Sequence, residues 1–439
     1  MNPPMLELTD KIAAQAALIP AMYGHVDFSL VPERFAAAPG DETDLDPKFA
    51  ARRPELLADR GRVALIKAYT MMGDTVADAY AARMPDYGFR RLVGMLDEAC
   101  DHGVERVANA PQELVRFIRQ MERLPDWLDM KLIEDGARAE RNGYAHRAPY
   151  VIRGGLLATF MNKYSALPMA MTGVLSSSTA ARRTMETATF FTTTVMPGAL
   201  TRYGAGFKAA AKVRLMHSMV RFNALRHDRW DVKTYGTPIP QVDQMPAGLI
   251  SIFLLSQKVL REGRTAFASA ERARCELARY RCFLLGLPEE LLADSPQGIV
   301  DMFLTRHATL RKGFDENCRA LVVATMAADL TSGPALAGRV HAWLEHGFAK
   351  VYFVTNFMRG NKRAAANVGV KLGVSDYLAA LAAGLFITTR MTIYTLAARI
   401  PLVRQAADRS LERKLSRQLA RYGHAEFTTN ANSYRLAHI

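Results

Sequence analysis

The stretch that decides the fold is Phe207–Arg226, which reads FKAAAKVRLMHSMVRFNALR. Its apolar residues recur every three or four positions, and this spacing predicts an amphipathic α-helix. Four apolar residues lie one or two turns from His217 on the same helix face: Ala210, Val213, Val220 and Ala224. The pattern therefore predicts that the imidazole of His217 points into an apolar interior.

The same spacing recurs through most of the 439 residues, whereas alternating, strand-like runs are almost absent. An apolar content of 49% is typical of a folded globular protein and excludes a disordered or fibrous chain. We therefore predict an all-α protein with an N-terminal arm over 1–60, a single helical domain over 61–421 and a polar tail over 422–439. The predicted helices include 62–83, 111–121, 180–194, 207–226, 247–261, 266–285, 295–310, 333–359 and 375–400.

The net charge of +14 suggests a nucleic-acid partner, but basic residues are not interleaved with aromatic residues on any one segment. The arginines are scattered along helical segments, which is typical of solvated helix faces, so no nucleic-acid partner is expected. The four cysteines form no C-x-x-C pair, which favours a reducing compartment. The first twenty residues lack the pattern of a signal peptide, so the expected location is cytoplasmic.

A strongly apolar run without charge covers 377–389, between Asp376 and Arg390. It is shorter than the roughly 18 to 20 residues that cross a bilayer, so no transmembrane span is predicted. The segment 377–400 suits either a buried or dimer-forming helix, which we favour, or a helix that rests on an anionic membrane surface beside Arg390 and Arg399.

Several common catalytic motifs are absent from the sequence, among them H-E-x-x-H, G-x-x-x-x-G-K-[ST] and G-x-S-x-G. The dipeptide His227-Asp228 occurs in all-α metal phosphohydrolases, which also need further His and Asp ligands. One dipeptide does not supply such a set, so a solvent-exposed pair at a helix end is the favoured interpretation.

The chemistry of His217 allows a more specific hypothesis. A neutral imidazole in an apolar cleft can ligate haem iron through Nε2 while a backbone carbonyl, such as that of Val213, accepts a hydrogen bond from Nδ1. The nearby alanines would allow a flat macrocycle to approach, and Arg214 and Arg221 could meet its propionates. The alternative, a core histidine held by ordinary hydrogen bonds, is the commoner case on helix geometry alone.

Four short sequence words occur in a fixed order around this histidine: KVRLMH at 212–217, VR at 220–221, WD at 230–231 and GTPIPQVD at 236–243. Together they resemble the haem b oxygenase family of latex clearing protein (rubber oxygenase) and fungal MpaB. The resemblance covers roughly 151–310. It implies an all-α fold with a globin-like core that holds haem b between two helices.

By this resemblance His217 is the proximal iron ligand, and Val213, Val220, Arg214 and Arg221 are the cofactor-binding residues around it. The family also has an Arg-x-x-x-Thr pair on an earlier helix, which Arg183 and Thr187 match. Glu186 shares a helix face with both. The predicted catalytic residues are therefore Arg183, Glu186 and Thr187.

The sequence departs from the rubber-cleaving enzyme at one informative position. That enzyme has a lysine immediately before the threonine, where this chain has Glu186. The resemblance therefore does not extend to a lysine as sixth iron ligand or to rubber as substrate. Desolvation would raise the pKa of Glu186 and pairing with Arg183 would lower it, and the sequence leaves the balance open. A protonated Glu186 could donate to dioxygen, whereas an ionised one could hold Arg183 or a water.

Taken together, these features predict a haem b-dependent oxygenase that uses dioxygen to oxidise or cleave a carbon–carbon double bond in an apolar, isoprenoid or lipid-like substrate. The alternative is a non-catalytic haem carrier or sensor. A third alternative is a peripheral membrane scaffold built on 377–400. Besides dioxygen and the apolar substrate, the expected partners are a membrane surface at this segment and a second copy of the chain.

Overall fold

The computed structural model of the protein describes residues 3–172, 176–330 and 336–423. Within these ranges the chain is helical and has no β-strand, only two isolated bridges, so the all-α prediction is confirmed. The predicted polar tail lies outside the described residues from 424 onward, and so does the predicted helix start at 333–335.

Helices follow one another along the whole of the described chain. Up to residue 171 they are α1 Pro3–Leu18, α2 Pro20–Tyr23, α3 Arg53–Ala58, α4 Arg60–Tyr69, α5 Thr75–Ala81, α6 Met84–Tyr87, α7 Phe89–His102, α8 Gln112–Glu122, α9 Met130–His146, α10 Ala148–Thr159 and α11 Lys163–Met171. The remaining helices are α12 Ser177–Thr193, α13 Ala205–Ala224, α14 Val232–Tyr235, α15 Gln241–Arg261, α16 Ser269–Leu284, α17 Pro296–Thr309, α18 Glu316–Ala327, α19 Leu336–Phe357, α20 Lys362–Asn367, α21 Val374–Ala397 and α22 Pro401–Tyr422.

The helices form two compact units, each built from two segments of chain. The first unit contains the described residues up to Gly136 together with Leu200–Gly313. The second contains Ala137–Ala199 and the described residues from Phe314 onward. Helix α13 belongs to the first unit and helix α12 to the second.

The prediction of one helix over 62–83 is wrong, because the chain leaves the helical path between α4 and α5. In this break the carbonyl of Met71 accepts a hydrogen bond from Thr237 Oγ1 (2.8 Å), and that of Met72 accepts one from the amide of Gln241 (3.1 Å). Asp74 then caps α5, with its Oδ1 accepting a bond from the amide of Ala77. The break allows α5 to pack directly against α13.

In the first unit α13 packs against α5, α7 and α16, which accounts for its many buried residues. The N-terminal residues contribute to this core through Tyr23, which is completely buried. Its hydroxyl donates a 2.6 Å hydrogen bond to Oδ2 of Asp78 on α5. The segment before α3 therefore supplies part of the support of α5 and α13.

In the second unit α19 packs against α10 and α21, and α18 packs against α11 and α12. A buried ion pair joins α10 to α19: Arg153 donates to both carboxylate oxygens of Glu345, at 3.0 and 2.8 Å. The guanidinium of Arg153 also donates to three backbone carbonyls at the end of α18 and just after it, those of Thr325, Met326 and Ala328. One arginine thus ties three helices together.

Helix α21 differs from the expectation for 377–400. Among the described helices it alone is long and apolar enough to cross a membrane by length and composition, and only 17% of its most apolar 18-residue window is buried. The prediction of a buried helix is therefore wrong, whereas a dimer-forming helix and a helix on a membrane surface stay predictions. Only a narrow side, with Ala379, Ala383 and Ile387, is covered.

Candidate functional site

Helix α13 presents His217 on a face whose other members are well packed. The four residues that share this face are buried: Ala210, Val213, Val220 and Ala224. His217 itself is only partly buried, so part of its surface remains accessible. The helix therefore offers an imidazole to a ligand from an otherwise apolar wall.

Arg214 lies one turn before His217 and is held by a carboxylate beside α5. Its Nε and Nη2 donate to the two carboxylate oxygens of Asp74 at 2.6 and 2.8 Å, and its Nη1 donates to Oε1 of Gln120 at 2.7 Å. Both members of the ion pair are almost fully buried. Bidentate geometry of this kind fixes the guanidinium as well as neutralising it.

Arg221 lies one turn after His217 and is held in the same way. It pairs with Asp78, and both side chains have 0% exposure. Its Nε and Nη2 also donate to the carbonyls of Pro238 and Ile239, at 2.8 and 2.6 Å. Burial raises the pKa of Asp78, and the charge of Arg221 acts in the opposite direction.

These contacts correct the propionate role predicted for Arg214 and Arg221. Both guanidinium groups already bind buried carboxylates of the protein. Asp74, the cap of α5, and Asp78, one turn further along α5, face the two arginines of α13. Sequence reasoning missed the two aspartates. No local spacing could have revealed them, because they lie 140 and 143 positions away from the arginines that they bind.

The second group of candidate residues lies on α12. The Nη1 of Arg183 is 3.3 Å from Oε2 of Glu186, and Thr187 Oγ1 donates to the carbonyl of Arg183 at 3.0 Å. Arg183 and Glu186 are buried, whereas Thr187 is partly exposed. The three side chains therefore form one cluster on α12, and the cluster includes a buried ion pair.

The structure answers the question that the sequence leaves open for Glu186. Desolvation raises the pKa of this carboxyl above its ordinary value, and the charges of Arg183 and Arg182 only partly offset the effect. Phe190, one turn further along α12, is buried and packs edge-on against Phe191 with ring centroids 5.2 Å apart. The buried carboxyl thus holds its proton to higher pH than an exposed glutamate does.

The side chains in the described ranges suit a cofactor whose metal ion already has most of its ligands within the cofactor. No group of three or more His, Cys, Asp or Glu residues within those ranges could hold a bare metal ion. His227 lies just after α13, where its Nδ1 accepts a hydrogen bond from the amide of Arg229 at 3.2 Å. A porphyrin needs only one axial imidazole, and His217, accessible on an apolar wall, fits that requirement.

Comparison with known proteins gives two findings. A family model described as "ER-bound oxygenase mpaB/B'/Rubber oxygenase, catalytic domain" matches residues 143–413, which include both α12 and α13. Among solved structures, latex clearing protein in the closed state matches with a TM-score of 0.56 and 17% sequence identity, covering 80% of this chain and 91% of that one. At this identity the likeness is one of fold. No curated protein matches the chain in sequence.

Proposed function

The chain belongs to the family of mpaB and rubber oxygenase catalytic domains, and from this premise we propose that it is a haem b-dependent oxygenase. It would use dioxygen to oxidise or cleave a carbon–carbon double bond in an apolar, isoprenoid or lipid-like molecule. Oxygenase chemistry follows from the family. The haem and the substrate class are the parts that we add.

The observation that carries the haem assignment is the setting of His217. The residue is accessible, its neighbours on the face are buried and apolar, and the helix lies within the family match. In our proposal His217 supplies the axial ligand, while Val213 and Val220 provide the apolar surface beside the macrocycle. When bound, haem b would supply the redox-active iron that reacts with dioxygen.

The residues on α12 suit proton handling during turnover. A glutamate whose pKa is raised by burial keeps its proton to higher pH than usual, so the carboxyl of Glu186 can donate a hydrogen bond or a proton to an oxygen atom. The guanidinium of Arg183 lies next to the carboxylate that remains after proton transfer and stabilises it. Thr187 donates its own proton to a backbone carbonyl, which leaves the lone pairs of its hydroxyl as acceptors.

The decisive experiment combines a spectrum with a turnover assay. We expect the purified or haemin-reconstituted protein to show a Soret band and a pyridine haemochrome spectrum of haem b. His217→Ala should abolish the band, and His227→Ala is the matched control that should keep it, because His227 lies outside the apolar face. A reconstituted protein without a Soret shift would exclude haem binding.

The turnover arm separates an oxygenase from a haem carrier or sensor. With an isoprenoid alkene such as squalene as probe, an oxygenase should consume dioxygen and form carbonyl or oxygenated products. Glu186→Gln should lower the rate while the Soret band stays, whereas Glu316→Gln, a change at an exposed glutamate, should have no effect. Intact haem binding without oxygen uptake across several alkenes would favour the carrier or sensor.

A further inference from the structure

We propose that one end of the second unit docks on the surface of an anionic phospholipid bilayer. The surface consists of the outer face of α21, the turn that follows it and the first residues of α22, and we call it the apolar corner. This inference does not depend on oxygenase activity or on haem.

The outer face of α21 is apolar over 374–385, and exposed Thr388, Thr389 and Thr392 separate this stretch from Leu396. Five residues point to the same side of the helix, opposite the side that packs on α19: Val374, Leu378, Leu381, Leu385 and Leu396. Leu381 and Leu385 are each 64% exposed. At about 1.5 Å per residue the stretch 374–385 is roughly 17 Å long, so this apolar stripe is larger than an isolated surface leucine.

The turn between α21 and α22 forms the tip of the corner. Beside this turn Leu402, the second residue of α22, is 96% exposed, and Ile400 and Val403 are 50% and 41% exposed. A leucine that is almost completely exposed beside a turn contributes no packing to the fold, but it can insert between lipid chains. Insertion of one such leucine strengthens membrane binding about tenfold or more.

Basic side chains surround this tip. A cleft of about 460 Å³ beside the turn is lined by Arg138, Arg399 and Arg404, with Asp408 as its acidic member. Oδ2 of Asp408 lies 3.7 Å from Nε of Arg138, and Asp408 is the one acidic residue among those that line the cleft. Arg399 and Arg404 therefore have no ion-pair partner among the described residues that line it. A cationic cleft next to inserting apolar residues is suited to the phosphate groups of an anionic membrane surface.

The beginning of α21 has side chains typical of a membrane interface. Trp343 of α19 is partly exposed and donates a 2.8 Å hydrogen bond from Nε1 to Ser375 Oγ, and Lys362 lies 4.7 Å from the ring centre of Tyr377. Amphipathic aromatic side chains prefer the boundary between headgroups and lipid chains. The corner therefore has interface-type aromatic residues at the start of α21 and basic residues at its tip.

Two contacts of α21 with α19 favour a helix that lies on the bilayer over one that crosses it. The inner side of α21 is packed on α19, and Asp376 in its first turn accepts an ion pair from Lys350 Nζ at 3.2 Å. Crossing would carry this pair and the neighbouring charged helices into hydrocarbon, which is costly. A second copy of the chain is a weaker match, since a two-fold contact at the tip would bring the arginines of both copies together.

Vesicle binding tests the proposal with the full chain. We expect the wild-type protein to float with vesicles of phosphatidylcholine containing about a third phosphatidylglycerol, and to bind pure phosphatidylcholine weakly. Leu402→Glu should weaken binding about tenfold or more, because it removes the inserting side chain. The double variant Arg399→Glu/Arg404→Glu should weaken it about 25-fold or more, at roughly fivefold per basic side chain.

Matched controls separate the corner from general charge and hydrophobicity. Leu124→Glu changes another exposed leucine, and Arg60→Glu/Arg90→Glu makes the same change of net charge at exposed sites of the first unit. Both should bind as the wild type does. The proposal is overturned if the wild type does not bind anionic vesicles or if Leu402→Glu binds normally. It is also overturned if the corner variants dissociate a dimer in analytical ultracentrifugation without any effect on vesicles.

Discussion

Replacement of Arg221 by methionine provides the sharpest test of how α13 is held. Methionine keeps much of the length and the apolar stem of the side chain but removes its charge and its donors. In the structure those donors serve the carboxylate of Asp78 and the carbonyls of Pro238 and Ile239, all in the interior of the first unit. The variant therefore leaves an anion and two carbonyls without their arginine.

The size of the effect follows from these contacts. Removal of one partner of a buried ion pair typically costs about 3 to 5 kcal/mol. Asp78 retains hydrogen bonds from the hydroxyl of Tyr23, at 2.6 Å, and from that of Ser218. Burial already raises its pKa, so it can become protonated instead of staying charged. Protonation limits the penalty, and we expect Arg221→Met to lower the unfolding free energy of the apoprotein by about 3 to 4 kcal/mol.

Urea unfolding of the apoprotein, followed by far-ultraviolet circular dichroism and by the fluorescence of buried Trp230, measures this loss. Arg229→Met changes an exposed arginine nearby and should shift the unfolding free energy by less than about 0.5 kcal/mol. The double variant Arg221→Met/Asp78→Leu should recover part of the loss, because no buried charge remains. An Arg221→Met apoprotein within about 1 kcal/mol of wild type, combined with weaker haemin binding, would refute the structural role and restore the propionate role.

Three further predictions follow from other buried groups. Glu345→Ala leaves the guanidinium of Arg153 without its anion and should cost the second unit about 3 to 5 kcal/mol in urea unfolding, with Trp343 fluorescence as the probe. Burial and nearby positive charges lower the pKa of His146 to about 4. As the pH falls, the imidazole is therefore protonated in the unfolded chain before it is protonated in the native protein. The unfolding free energy should therefore fall by up to about 2 kcal/mol from pH 6.5 to pH 4. His146→Gln should make this fall smaller, and a variant with the same pH dependence as the wild type would contradict the prediction. For the proposed oxygenase, turnover should decline as pH rises through the raised pKa of Glu186, and Glu186→Gln should remove that decline.

The sequence was sufficient for the helical class and for the α12 cluster, because both depend on residues within a few turns of each other. The spacing of Arg183, Glu186 and Thr187 places them on one face whatever the rest of the chain does. The family resemblance, confirmed by the family match, likewise came from short words around His217.

What the sequence could not predict depends on distant partners. The helix expected over 62–83 is broken by bonds from Thr237 and Gln241, which lie far along the chain. The carboxylates that bind Arg214 and Arg221 are 140 and 143 positions away from them. Local periodicity contains no information about such pairs, so it predicts a ligand for two arginines that bind carboxylates of the protein.

The reassignment of the two arginines strengthens the case for His217 as a ligand. The arginines lie one turn before and one turn after the histidine, and each is fixed by a buried carboxylate of α5 or its cap. Any shift of this part of α13 along or around its axis would have to break at least one buried pair, at a cost of about 3 to 5 kcal/mol. The imidazole is thus held on a rigid segment before any cofactor binds. Such preorganisation favours an axial ligand, because no conformational entropy is lost in ordering the helix when iron binds.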